Sequence, residues 1–184
     1  MTAVDLFMRL AATHKPDCHM SLDGPPPETV PDPEEMARTL GSDAVGRYAA
    51  ACRPIYEDLR RVIGQVSGLL ILARLTSRTE MADLNEMQLC RARWCDAAER
   101  LAALEAPTGL SRHKLQLTSA HQFSGQALNA FSGLRGGADK TAQFDRMGLQ
   151  IKRAYAHLEA ASSSKAGLQM VDFTHACCSC AHQH

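Results

Sequence analysis

The chain has few aromatic residues, no net charge and no long apolar run. Aromatic residues make up 5% of its 184 residues, which disfavours sheet, because strands are enriched in aromatic and β-branched side chains. Lysine plus arginine number 20, as do aspartate plus glutamate, so no global field attracts nucleic acid or an anionic membrane. The composition predicts an all-α protein that binds neither nucleic acid nor membrane.

The most apolar stretch, residues 62–75, is interrupted by polar residues and by Gly64 and Gly68. It is too short and too polar to span a bilayer. The first residues include an acidic side chain and no apolar run of secretory length. We therefore expect a cytoplasmic protein. Its seven cysteines are an odd number, which in a reducing compartment favours free thiols or metal ligands over a disulfide framework.

Apolar residues recur at steps of three and four along four segments, which is typical of amphipathic helices. The first segment contains Val45, Tyr48, Cys52, Ile55, Leu59, Val62, Val66, Leu69 and Ala73. The others lie within residues 87–104, 110–134 and 144–161. Because the breaks between them are short, consecutive helices should lie antiparallel. The predicted fold over residues 34–165 is an up-down-up-down four-helix bundle.

Proline residues divide the chain before this bundle. Residues 23–33 contain five of the eight prolines, so residues 1–33 are predicted to form an N-terminal arm with an extended, proline-rich linker. Asp32 and Pro33 mark the start of a short helix that should end near Gly41. Pro54 is expected to kink the first long helix or to cap a new one.

The segment predicted to follow the bundle, residues 166–184, is rich in cysteine and histidine. Its last twelve residues read FTHACCSCAHQH and hold three of the seven cysteines and three of the eight histidines, without one charged side chain. Thiolate and imidazole groups bind Zn(II) and Cu(I), and a CxxC turn brings two thiolates to one ion. The predicted ligands are Cys177, Cys178, Cys180, His175 and His182.

The run Cys177-Cys178-Ser179-Cys180 resembles the CCxC copper-loading motif of the copper chaperones of cytochrome oxidase. The resemblance covers four residues and implies Cu(I) chemistry; the paired CX9C helices of that family are absent. A second soft-ligand cluster lies in the arm, at His14, Cys18 and His19. Since the two ends of a domain are often close together, one hypothesis is a joint site built from both clusters; the alternative is that the clusters are two unrelated, solvent-exposed polar segments.

Cysteine, histidine and glycine residues within the bundle are interpreted as structural. Cys52 and Cys90 fall on the apolar stripes and should be buried, whereas Cys95 lies off its stripe, at the surface. Gly64 and Gly68 are expected to allow close helix packing inside the bundle. The bundle also contains three histidines, His113, His121 and His157. Because no Glu-x-x-His pair accompanies them, we expect them to be hydrogen-bonded or exposed rather than metal ligands.

These patterns favour a metal-binding helical protein, holding Zn or Cu(I) and acting in metal trafficking, sensing or metalloenzyme support. One alternative is a helical adaptor or assembly subunit that docks on a protein partner through the arm and tail. Another is a redox protein with a reactive thiol or an Fe-S centre in the tail. No spacing nominates a catalytic triad or a phosphate loop, so binding is favoured over catalysis.

Overall fold

The computed structural model describes residues 32–76, 85–133 and 140–170. This part of the chain forms five α-helices and a short 3-10 turn, with a single β-bridge between Ser163 and Leu168, and the prediction of an all-α fold is confirmed. The helices are α1 (Pro33–Leu40), α2 (Asp43–Thr76), α3 (Asn85–Ala103), α4 (Ser111–Ser132) and α5 (Lys140–Ala160); the 3-10 turn is Ser164–Ala166.

The first helix begins and ends as predicted. Asp32 is extended, with φ of −62° and ψ of 137°, and Pro33 is the first helical residue, where its missing N–H removes no intrahelical hydrogen bond. Gly41 ends the helix with φ of 75°, a left-handed conformation that glycine adopts without steric penalty. Met36 is buried and fixes α1 to the core.

The long helix α2 runs for 34 residues and continues through Pro54. The alternative in which Pro54 caps a new helix is therefore wrong. Pro54 is exposed, and its lack of an N–H leaves the carbonyl of Ala50 without the usual donor four residues ahead. The helix continues because the residues on both sides of Pro54, including Cys52, Ile55 and Tyr56, are buried in the core.

The core contains the predicted apolar stripes. Eight of the nine stripe residues on α2, all except Val45, are buried. The apolar residues that α5 turns inward are buried as well: Phe144, Met147, Ile151, Ala154 and Leu158. Because α2 packs against α1, α3, α4 and α5, its buried face is wider than one stripe. It also includes Ala49, Tyr56, Ile63 and Leu70.

Contacts between neighbouring helices pair residues in opposite chain order. Between α2 and α3, Asp58 pairs with Arg100 and Gln65 with Arg93. Between α3 and α4, the side chains of Arg91 and Trp94 donate to the carbonyls of Leu128 and His121, respectively. These neighbouring helices therefore run antiparallel.

The chain leaves α5 in a compact turn. Gly167 has φ of 67° and closes the 3-10 turn, while Ser163 and Leu168 exchange two backbone hydrogen bonds. Ala166 and Leu168 are buried with the core, so the first residues after position 165 belong to the helical body. None of the helices among the described residues has the length and apolar character needed to cross a bilayer.

Candidate functional site

The predicted metal ligands all lie outside the described residues. This applies to Cys177, Cys178, Cys180, His175 and His182 of the tail and to His14, Cys18 and His19 of the arm. Over residues 32–76, 85–133 and 140–170, no group of three or more His, Cys, Asp or Glu side chains is placed to hold a metal ion.

Two of the three cysteines in the described residues are buried, as predicted. Cys52 and Cys90 are both 0% exposed. Burial raises the pKa of each thiol to about 11, an effect that Arg93 and Arg91 partly offset for Cys90. A thiol that stays protonated at neutral pH is neither a good metal ligand nor a good nucleophile. Cys95 is exposed, as predicted.

His113 links three parts of the body. Its Nε2 lies 3.0 Å from the carbonyl oxygen of Ala161, and its Nδ1 lies 2.9 Å from the Tyr48 hydroxyl. Because a carbonyl oxygen only accepts, Nε2 carries the proton, and in the neutral ring Nδ1 accepts from Tyr48. Burial raises the pKa of Tyr48, and Cys52 raises it further, so this hydroxyl keeps its proton and donates. His113 is therefore satisfied, as the sequence predicted.

Trp94 and His121 form a reciprocal pair across α3 and α4. Trp94 Nε1 donates to the His121 carbonyl at 2.9 Å, and His121 Nε2 lies 3.1 Å from the Trp94 carbonyl, to which it donates. The two rings stack, with centroids 4.4 Å apart and planes 10° apart. Burial lowers the pKa of His121, against the opposing effect of the Trp94 carbonyl.

His157 is the third satisfied histidine. Its Nδ1 lies 2.6 Å from Oε1 of Gln116, and its ring stacks on Phe123 with centroids 5.3 Å apart. The guanidinium of Arg153 lies 5.6 Å from the centroid of the same phenyl ring, within cation–π range. The three histidines face separate partners rather than one common point, so they do not form a ligand set.

A groove of about 400 Å³ lies between the start of α2 and the segment after α3, with Tyr48 in its wall. Arg47 and Glu105 also line it. The Cys52 thiol beside Tyr48 is buried, and its raised pKa keeps it protonated. The Tyr48 hydroxyl donates its hydrogen bond to His113. Neither the Tyr48 hydroxyl nor the Cys52 thiol is therefore placed to act as a nucleophile or a general base in the groove.

Two buried polar atoms on α2 lack a hydrogen-bond partner: Nη1 of Arg53 and the hydroxyl oxygen of Tyr56. Arg53 is 9% exposed and pairs through Nε with Oε1 of Glu57 at 3.0 Å. Burial raises the pKa of Tyr56 to about 12, partly offset by Arg60. Sequence reasoning missed both residues, because they flank the apolar stripe rather than interrupt it.

The outer side of α2 carries an exposed stripe without charge. We define the outer stripe as Gly64, Gly68, Ile71 and Leu75, which follow one another at steps of four, three and four. Ile71 is 58% exposed and Leu75 is 70% exposed, and both glycines are exposed. Polar pairs border the stripe: Arg93 donates to Gln65 on the α3 side, and Arg74 pairs with Asp145 on the α5 side.

Packing among the described residues does not account for the glycines of the outer stripe. A Cβ added at Gly64 or Gly68 meets no atom of the described residues within 4 Å, so the prediction that they allow close packing between the helices described here is wrong. The close approaches occur at other glycines. A Cβ at Gly46 would lie 2.7 Å from Cα of Ala37, and one at Gly125 would lie 2.5 Å from Cζ2 of Trp94.

Comparison of the chain with protein-family models, with curated proteins and with solved structures gave no match. Function must therefore be argued from the residues themselves. Two features of the described residues bear on it: the structural use of their histidines and buried cysteines, and the outer stripe of α2.

Proposed function

We propose that the chain binds a thiophilic metal ion, Zn(II) or Cu(I), through its C-terminal cysteine and histidine residues. Cys177, Cys178 and Cys180 would supply thiolates, and His175 or His182 would complete a tetrahedral shell. In the arm, Cys18 with His14 or His19 would form the second half of the site. A soft ligand set of this kind suits metal trafficking, sensing or support of a metalloenzyme.

The observation that supports this proposal is how the chain uses its cysteines and histidines. In the described residues two of three cysteines are buried with raised pKa values, and all three histidines are held by hydrogen bonds. The other cysteines and histidines of the sequence fall within residues 14–19 and 175–184. This distribution supports assigning the proposed metal chemistry to those two segments.

The helical body would act as the carrier of this site. We propose that its four long helices form the up-down-up-down bundle, which the antiparallel contacts of α2 with α3 and of α3 with α4 support. The body buries an extensive core of its own, so metal binding would serve function rather than folding. Free thiols at these positions suit the cytoplasm.

Metal content of untagged protein, measured by elemental analysis, tests the proposal. We expect one metal ion per chain in the parent and none in the Cys177→Ser/Cys180→Ser double variant or in a chain ending at Asp172. The matched control is Cys95→Ser, which removes an exposed thiol from the helical body and should leave metal content unchanged. All of these chains should share one thermal unfolding curve. Equal metal content in the parent and the double variant would contradict the assignment.

A role as an adaptor or assembly subunit is the second candidate. The outer stripe of α2 favours it, because exposed apolar side chains grouped on one helix face are a feature of protein interaction sites. The discriminating measurement is whether a complex survives removal of metal by a chelator. A redox role for the tail, the third alternative, would instead give a visible Fe-S chromophore or a titratable disulfide between Cys177 and Cys180.

A further inference from the structure

The outer stripe of α2 differs from the other exposed apolar positions in being continuous. Leu115 on α4 is 60% exposed, but its neighbours one turn away are Ser111, Arg112, Thr118 and Ser119. A single apolar residue of this kind among polar neighbours is ordinary on a protein surface. On α2, by contrast, Ile71 and Leu75 follow two exposed glycines on the same face.

Two glycines on the exposed face of a long helix need a reason. Glycine is the least favourable residue in a helix interior apart from proline, and the surrounding space at Gly64 and Gly68 is open. Packing within the described chain therefore does not explain them. Glycine on a helix face does allow the backbone of another helix to approach closely.

The outer stripe is complementary to itself. Gly68 lies near the middle of the stripe. The half that is N-terminal to it has no side chain at Gly64, whereas the C-terminal half carries Ile71 and Leu75. A second α2 laid across the first in the antiparallel sense places Ile71 of each copy over the space between Gly64 and Gly68 of the other. The large half of each stripe thereby fills the empty half of its partner.

We propose that two copies of this chain associate through the outer stripe of α2, in a two-fold antiparallel crossing centred on Gly68. A two-fold interface of this type brings one patch against the same patch of the other copy. Leu75 then packs on the aliphatic stem of Arg61 of the second copy. The two Arg61 side chains lie on opposite sides of the crossing, so like charges do not meet.

The borders of the stripe fit this occupant. Arg93–Gln65 and Arg74–Asp145 place satisfied polar groups on its two sides, which gives the apolar centre and polar rim typical of protein interfaces. The contact is small, and small interfaces are typical of weak, transient association. We therefore expect a dissociation constant in the micromolar range or weaker, on the order of 10 µM or above. The proposal is independent of metal binding by the tail.

Sedimentation velocity of the full chain over a concentration series tests it, with a chelator and a reductant present so that neither metal nor disulfides bridge two copies. We expect a concentration-dependent dimer in the parent chain. Ile71→Gln removes the apolar side chain that fills the space on the second copy, and Gly68→Leu fills that space. Each substitution should raise the dissociation constant of the dimer at least tenfold. The matched control Leu115→Gln removes an equally exposed apolar side chain from α4 and should dimerise like the parent.

Gly68→Leu should keep the fold, because its added Cβ meets no atom within 4 Å, and circular dichroism checks this. A parent chain that stays monomeric up to several hundred micromolar would overturn the proposal and leave the stripe to another protein or to another segment of this chain. Dimerisation that persists equally in Ile71→Gln and Gly68→Leu would overturn it as well.

Crosslinking tests the antiparallel register. In the proposed crossing, position 68 faces position 68 of the second copy, whereas position 75 faces position 61. Oxidation in the presence of a chelator should therefore crosslink Gly68→Cys far more than Leu75→Cys, with the parent chain giving the background from its native thiols. Equal yields for the two variants would refute the register.

Discussion

The seam between α3 and α4 and the outer stripe of α2 use glycine in opposite ways. At the seam, the indole of Trp94 covers Gly125 so closely that a methyl group there would lie 2.5 Å from Cζ2. On the outer stripe, no atom within the described ranges of the chain would lie within 4 Å of a Cβ at Gly64 or Gly68. Glycine therefore closes a contact within the chain in the first region and leaves a space open in the second. A glycine inside a helix therefore marks a close contact only where another side chain covers it.

Gly125→Ala should have the largest effect. The added methyl group must displace an indole that its hydrogen bond to the His121 carbonyl and a stacked imidazole hold in place. Overpacking of this kind destabilises by about 1–3 kcal/mol, more than the gain in helix propensity of up to about 1 kcal/mol. Urea unfolding measures the change. Since the sequence contains one tryptophan, its fluorescence reports directly on displacement of the ring.

A double-mutant cycle identifies the cause of that loss. Trp94→Phe removes the part of the ring that would contact the new methyl group, so Gly125→Ala should be neutral or stabilising in that background. A loss of stability that is the same in both backgrounds would mean that the contact with Trp94 is not what requires glycine at position 125.

Gly64→Ala and Gly68→Ala should have a smaller effect of opposite sign. With open space at both positions, alanine gains helix propensity without a clash and should stabilise the chain by about 0.5–1 kcal/mol per substitution. Unfolding measured at sub-micromolar concentration, where the chain is monomeric, gives this gain. If dimerisation through the outer stripe stabilises the parent at high concentration, the gain should shrink there, because the alanine variants lose the dimer. Destabilisation at dilution would show that the stripe is covered within the chain.

Much of the fold can be predicted from residue spacing. Where the structure differs from the prediction, the difference has an identifiable cause. Steps of three and four located the inward face of α2, including Cys52, because a helix repeats every 3.6 residues. The pattern underestimated the width of that face, since it does not reveal that four other helices pack on α2. It also led to the wrong expectation for Gly64 and Gly68, because spacing identifies a face but not what covers it.

The histidines illustrate the same limit. The sequence correctly indicated that His113 is hydrogen-bonded, but its partners Tyr48 and Ala161 are 65 and 48 residues away in sequence. No local pattern encodes such a pairing. The predicted metal ligands of the arm and tail, which lie outside the described residues, stay predictions that rest on the chemistry of their side chains.

The smallest expected effect concerns the seam between α3 and α4, where His121 stacks on Trp94. It is a change in how the stability of the chain depends on pH. Burial lowers the pKa of His121 in the folded chain below its usual value of about 6.5, so the unfolded chain binds this proton more readily. The contribution of neutral His121 to the free energy of unfolding is therefore fully present above about pH 6.5. It is lost as pH falls through the lowered pKa. In His121→Gln the free energy of unfolding should vary less between pH 7.5 and 5.5 than in the parent. Because the parent and the variant differ only at position 121, the difference between their pH profiles gives the contribution of this imidazole. Parallel profiles would mean that His121 titrates alike in both states and that the stack with Trp94 does not bury it.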